Sequence, residues 1–138
     1  MMDARAYLSQ LGALREDIKR MEEMIRETDE KLTSLGSMRY DRERVQATPE
    51  NRLEKGVIGK AQQMEKLEKL YKKYLATFGK IVGQIDQMEN ATYRRALKLV
   101  YVDGLTIRRA AARMNYTEDW MYHLLSRARG DFQKRFLK

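Results

Sequence analysis

Residues 96–129 read ALKLVYVDGLTIRRAAARMNYTEDWMYHLLSRAR. The stretch is punctuated twice, by Asp103-Gly104 and by Asn115-Tyr116. Gly104 stands where a helix needs a left-handed C-terminal residue, and Asn115 is the next-best residue after Gly for such a position. Thr106 and Thr117 are each placed to cap the helix that follows, and Glu118 and Asp119 occupy a first turn, where the helix dipole favours acids. The expected elements are three helices. The first starts from Asn90 or Thr92 and runs through Ala96, Leu97, Val100 and Tyr101. The second spans Ile107 to about Met114, and the third runs from Thr117 towards Phe136, tolerating Gly130 at some cost.

A short helix, a tight turn and a second helix within a basic three-helix unit is the expected geometry of a helix-turn-helix. Ala110 and Ala111 are small enough for the two helices to cross closely. Ile107, Met114, Met121, Leu124 or Leu125, and Ala128 supply a small core. The outer face of the last helix then presents Thr117, Asp119, Trp120, Tyr122, His123, Ser126 and Arg127. Around it stand Arg108, Arg109, Arg113 and Arg129, with Lys134 and Arg135, as candidate phosphate contacts. Trp120 suits either the core or a nucleic-acid contact. His123 reads as a polar surface group, because a single His in a chain without Cys cannot complete a metal site.

Upstream, Tyr7, Leu11, Leu14, Ile18, Met21, Ile25, Thr28, Leu32 and Leu35 step alternately by four and three, which is a heptad seam. Asp3 is placed to cap this helix and Gly36 to stop it, giving a rod of roughly 45 Å. A second seam follows at Leu67, Tyr71, Tyr74, Phe78, Ile81, Ile85 and Met88, extended upstream by Val57, Ala61 and Met64 with one irregular step. Leu70, Leu75 and Val82 widen this stripe beyond what two strands of a coiled coil need, so a third contact is expected, either a partner chain or the C-terminal part folding back. Gly79 and Gly83 on one flank would allow a close backbone approach. Between the rods, residues 36–56 read as a long linker containing YDRERVQATPENR, with Thr48-Pro49-Glu50 resembling a helix start. Arg39, Arg42, Arg44 and Arg52 of this linker could touch phosphate, or form an ordinary polar loop. The expected organisation is thus a first long helix (1–35), a linker (36–56), a second long helix (57–89) and a terminal domain (90–138).

The charge follows the same division. Of 138 residues, 28 are Lys or Arg and 20 are Asp or Glu, a formal net of +8. Residues 1–90 are nearly neutral, with 17 basic and 16 acidic side chains, whereas residues 91–138 carry 11 basic and four acidic ones. A basic terminal third points to a polyanionic partner. The absence of Cys excludes disulfide scaffolds, thiolate metal sites and thiol catalysis, and fits a reducing, cytoplasmic setting. No apolar run is long enough to span a bilayer, and no signal-peptide pattern opens the chain. With no nucleophile–base pair, metal cluster or phosphate-cradling Gly loop, neither an enzyme nor a bound cofactor is expected. Glu22-Glu23 and Asp29-Glu30 read as solvated faces.

At this point the sequence resembles a known family. Residues 96–129 are similar to region four of sigma-70-type factors. The shared features are an aromatic before Asp103-Gly104, Leu105-Thr106 opening the scaffold helix, Ala111, the Thr117 cap and Arg127-Ala128-Arg129. The wider arrangement resembles the phage and prophage sigma-like regulators of the RinA/ArpU type. The resemblance implies a DNA-binding transcriptional regulator, with RNA polymerase as a further partner. Arg109 stands where the family usually has an acid, Asn115 where it has Gly, and Trp120 and Tyr122 are bulkier than its usual reading residues. No segment resembling region two is present, so a complete sigma factor is not expected.

The reading is therefore all-α: a long coiled-coil hairpin followed by a helix-turn-helix domain that binds double-stranded DNA, dimerising through residues 7–35 and 57–88. The alternatives are a protein-interaction adaptor, or the DNA-recognition subunit of a phage packaging complex.

Overall fold

A computed structural model describes the backbone of residues 2–41 and 49–137, and the side chains of residues 2–34 and 53–137. Every regular element among the described residues is helical, so the protein is all-α. The order is α1 (Ala4–Leu8), α2 (Gln10–Asp41), α3 (Pro49–Asp86), α4 (Ala91–Leu97), a π-helical turn (Lys98–Val102), α5 (Ile107–Met114) and α6 (Glu118–Phe136).

The helix ends show why these elements form. Asp3 caps α1 by accepting from the Ala6 N–H at 2.7 Å. Asn90, not Thr92, caps α4 by accepting from Tyr93 N–H at 3.1 Å. Thr106 caps α5 and Thr117 caps α6, through Arg109 N–H at 3.2 Å and Trp120 N–H at 3.1 Å. Asn115 and Gly104 both adopt left-handed backbone, with φ of 59° and 73°. Between Leu97 and Gly104 the helix widens: Asp103 N–H donates to the Lys98 carbonyl at 2.8 Å, and Leu105 N–H to the Leu99 carbonyl at 3.0 Å. Wide turns of this kind recur next to functional sites.

The long helices differ from expectation at their ends. The first does not run unbroken from the N-terminus: a turn at Ser9 separates α1 from α2. Nor does it stop at Gly36, because α2 continues to Asp41. A Gly inside a helix costs only about 1 kcal/mol, which neighbouring turns can absorb. The second long helix starts not at Val57 but at Pro49, whose fixed φ suits a first helical position. The expected 36–56 linker is therefore helical over residues 36–41 and 49–56. Residues 42–48 lie outside the described ones, as do the side chains of Leu35, Arg39, Arg42, Arg44, Thr48 and Arg52.

The chain forms two compact units. One comprises Met1–Arg15 and Lys73–Lys138, the other Glu16–Lys72. The terminal domain is therefore not residues 90–138 alone. Its core also takes Ala4, Leu8 and Leu11 from the N-terminal helices and Ile81, Ile85 and Met88 from the end of α3 and just beyond it. These pack with Leu97, Ala110, Ala111, Met121, both Leu124 and Leu125, Ala128 and Phe132. The rings of Tyr7 and Phe132 lie 5.7 Å apart, and those of Phe132 and Phe136 4.8 Å apart. Tyr7 donates its hydroxyl proton to Gln84 Oε1 at 2.6 Å, and Ala4 N–H donates to Gln133 Oε1 at 2.5 Å. Of the two sources offered by the wide stripe on α3, the C-terminal part folding back supplies this contact for residues 81–88.

The second unit is an antiparallel pairing of α2 with α3. Tyr71 donates to Glu22 Oε2 at 2.8 Å, Lys60 pairs with Asp29, and a Cβ added to Gly56 would overlap the Leu32 side chain. Ile18, Met21, Ile25, Thr28 and Leu32 form the inner face of α2, as the seam requires. On α3 the register differs from the reading above. The inner positions are Leu53, Gly56, Lys60, Gln63, Leu67 and Leu70, whereas Val57, Ala61 and Met64 are exposed. The irregular step between Met64 and Leu67 marks two overlapping heptad stripes on one helix, and only one of them faces α2.

Candidate nucleic-acid interface

The pair α5–α6 is joined by the three residues Asn115–Thr117. Asn115 turns the chain, while its N–H and that of Tyr116 satisfy the Ala112 and Ala111 carbonyls at 3.2 and 2.9 Å. Thr117 then opens α6. At about 100° per residue, Met121, Leu124, Leu125, Ala128 and Phe132 fall on one side and are buried. The opposite side carries Asp119, Tyr122, His123, Ser126 and Arg127, with Trp120 at its edge, and all six are exposed, as is Thr117 itself. Trp120, which suited either setting by sequence, lies on the surface with 45% of its area exposed.

This face is partly organised. The Arg127 guanidinium lies 5.8 Å from the Trp120 ring centre, within cation–π range. Tyr116 approaches the same ring edge-on at 6.4 Å. Tyr116 was not among the expected site residues, although its spacing of four from Trp120 would have found it. Arg108 and Glu118 stand 3.9 Å apart at the mouth of the turn, both exposed. Arg109 and Arg113 are exposed on α5 and line a groove with Leu105 and Ala112.

The described basic side chains of the terminal third divide into two groups. Arg94 donates to the Met88 and Glu89 carbonyls at 2.5 and 3.1 Å, holding the segment between α3 and α4. Arg95 donates to the Arg113 carbonyl at 3.2 Å. Arg135 reaches the Gln87 carbonyl at 2.8 Å and Glu89 at 3.0 Å, and Lys98 pairs with Asp86. Arg129, expected beside the reading face, turns inward instead: it is partly buried and donates to the Tyr101 hydroxyl at 3.1 Å. Its position on α6 lies nearer the core stripe than the outer face, so its stem packs and its head finds a polar partner. Arg109, Arg113, Arg127 and Lys134 have no acidic partner among the described residues, and Arg108 has only its long contact to Glu118. These five cations flank the outer face of α6 and the exposed side of α5.

Arg15 was also missed by sequence reasoning. From α2 it donates to the Val102 carbonyl at 2.8 Å, and its guanidinium lies beside Gly104. It thus ties the N-terminal segment to the loop that leads into α5. Among the described residues no group of three or more His, Cys, Asp or Glu could hold a metal ion. No described helix is long and apolar enough to cross a membrane. No protein-family model, curated protein or solved structure matches the chain.

Proposed function

We propose that the protein is a DNA-binding transcriptional regulator of phage or prophage type, which places α6 in the major groove of duplex DNA as the second helix of a helix-turn-helix. The observation that carries this reading is the outer face of α6. Polar and aromatic residues from Thr117 to Ser126 point to solvent, flanked by five cations, Arg108, Arg109, Arg113, Arg127 and Lys134, whose side chains make no hydrogen bond among the described residues. A phosphate backbone would meet Arg108, Arg109, Arg113, Arg127 and Lys134, while Asp119, His123 and Ser126 reach base edges. The resemblance to sigma region four supports the role in transcription, with RNA polymerase as a further partner. A second copy pairing through the exposed α3 positions Val57, Ile58 and Met64 would present two reading helices to a two-fold site.

Retention of genomic fragments at two salt concentrations tests the reading. Five phosphate-neutralising cations give a slope of log affinity against log salt of about −4.5. Arg109→Ala with Arg127→Ala should flatten that slope by about 2 without altering the melting curve. A chain that retains no duplex at low salt is not a DNA-binding protein. The exposed aromatics favour one second reading, a protein-interaction adaptor, in which the same double variant would leave partner binding intact.

A further inference from the structure

We propose that the aromatic cluster at the start of α6 selects thymine through its C5-methyl group; this rests on the duplex-binding reading above. Tyr116 and Trp120, the two rings of the cluster, are 37% and 45% exposed, and Tyr122, on the other flank of α6, is 55% exposed. They are not spare core residues, because the buried stripe of α6 is already filled by Met121, Leu124, Leu125, Ala128 and Phe132. Three solvent-facing rings within seven residues cost solvation in the free protein, and their location gives the reason for keeping them. Trp120 and Tyr122 lie in the first turns of α6, the part of a reading helix that comes nearest the base edges.

The cluster is also held in place. The Trp120 indole has Tyr116 against its edge and the Arg127 guanidinium 5.8 Å from its centre. A ring restrained on two sides gives up little freedom on binding. Its carbons have few matches in a major groove. Each base displays hydrogen-bonding groups there, and thymine alone adds a methyl group, where cytosine has only a C5–H. Phosphates are served by the neighbouring cations, not by indole carbons. Burying the indole against polar base edges would leave their donors and acceptors unsatisfied, and burying it against a methyl does not.

The experiment uses the whole chain and a random-sequence duplex library. Selected duplexes are amplified once with thymidine triphosphate and once with deoxyuridine triphosphate, since uracil keeps the pairing of thymine and lacks only the methyl. The wild-type chain is expected to bind the uracil pool weaker by about fourfold for each methyl contacted. Trp120→Ala should bind both pools equally, Trp120→Phe should keep part of the preference, and all three chains should melt together because Trp120 is outside the core. Equal affinity of the wild type for the two pools overturns thymine selection and leaves duplex binding standing. Failure to enrich any duplex overturns both readings.

Discussion

Asn115 and Gly104 are the two residues whose backbone the fold cannot obtain from most side chains. A left-handed residue other than Gly or Asn costs about 1–2 kcal/mol, so Asn115→Ala should lower stability by about 1 kcal/mol in urea melts. Asn115→Gly should equal or exceed the wild type, because the αL position then carries no Cβ. Gly104→Ala should lose more than Asn115→Ala. Its φ of 73° is strained for any Cβ, and that Cβ would stand 2.9 Å from Arg15 Nη2. Both special positions were legible in the sequence, as were the Asp3, Thr106 and Thr117 caps, because each depends on neighbours within four residues. The destination of Arg129 was not legible: its partner Tyr101 lies 28 positions away in the chain.

At the scale of elements, two ties hold helices together through polar atoms. Arg15 joins α2 to the loop before α5. Arg15→Met keeps the aliphatic stem and removes the hydrogen bond to the Val102 carbonyl, and should cost about 1.5–3 kcal/mol by denaturant titration. In the hairpin, the Glu22 carboxylate accepts from the Tyr71 hydroxyl and so holds the phenol above its ordinary value of 10.0. A group whose folded value is raised contributes stability below its unfolded value and loses it as pH rises through the folded one. The wild type should therefore lose stability relative to Tyr71→Phe as pH climbs above about 10, read by circular dichroism of the two chains in parallel. The existence of both long helices was plain from their heptads. Which stripe of α3 would face α2 was not, because two stripes of similar period overlap on it and only the partner helix chooses between them.

For the molecule as a whole, the module that carries the proposed interface is not contiguous in sequence. Leu8 and Leu11 at one end of the chain and Phe132 at the other are all fully buried in one core. Phe132→Ala should cost about 3–5 kcal/mol, and a fragment beginning at residue 90 should show helicity without a cooperative melt. Calorimetry of that fragment beside the full chain checks this. If two copies associate through the exposed Val57, Ile58 and Met64, Met64→Glu should shift the mass measured by light scattering from dimer to monomer while leaving the melt of the Phe132 core unchanged.

Caps, turns, helical periods and the outward face of α6 were all written in the chain, since each arises from interactions spanning a few residues. The tertiary structure alone decided which cations remain available to a partner. Arg94, Arg95, Lys98, Arg129 and Arg135 look like their neighbours in sequence, yet each is spent on a carbonyl, hydroxyl or carboxylate that folding brings close. Charge is a local property of the chain, but its availability depends on long-range packing.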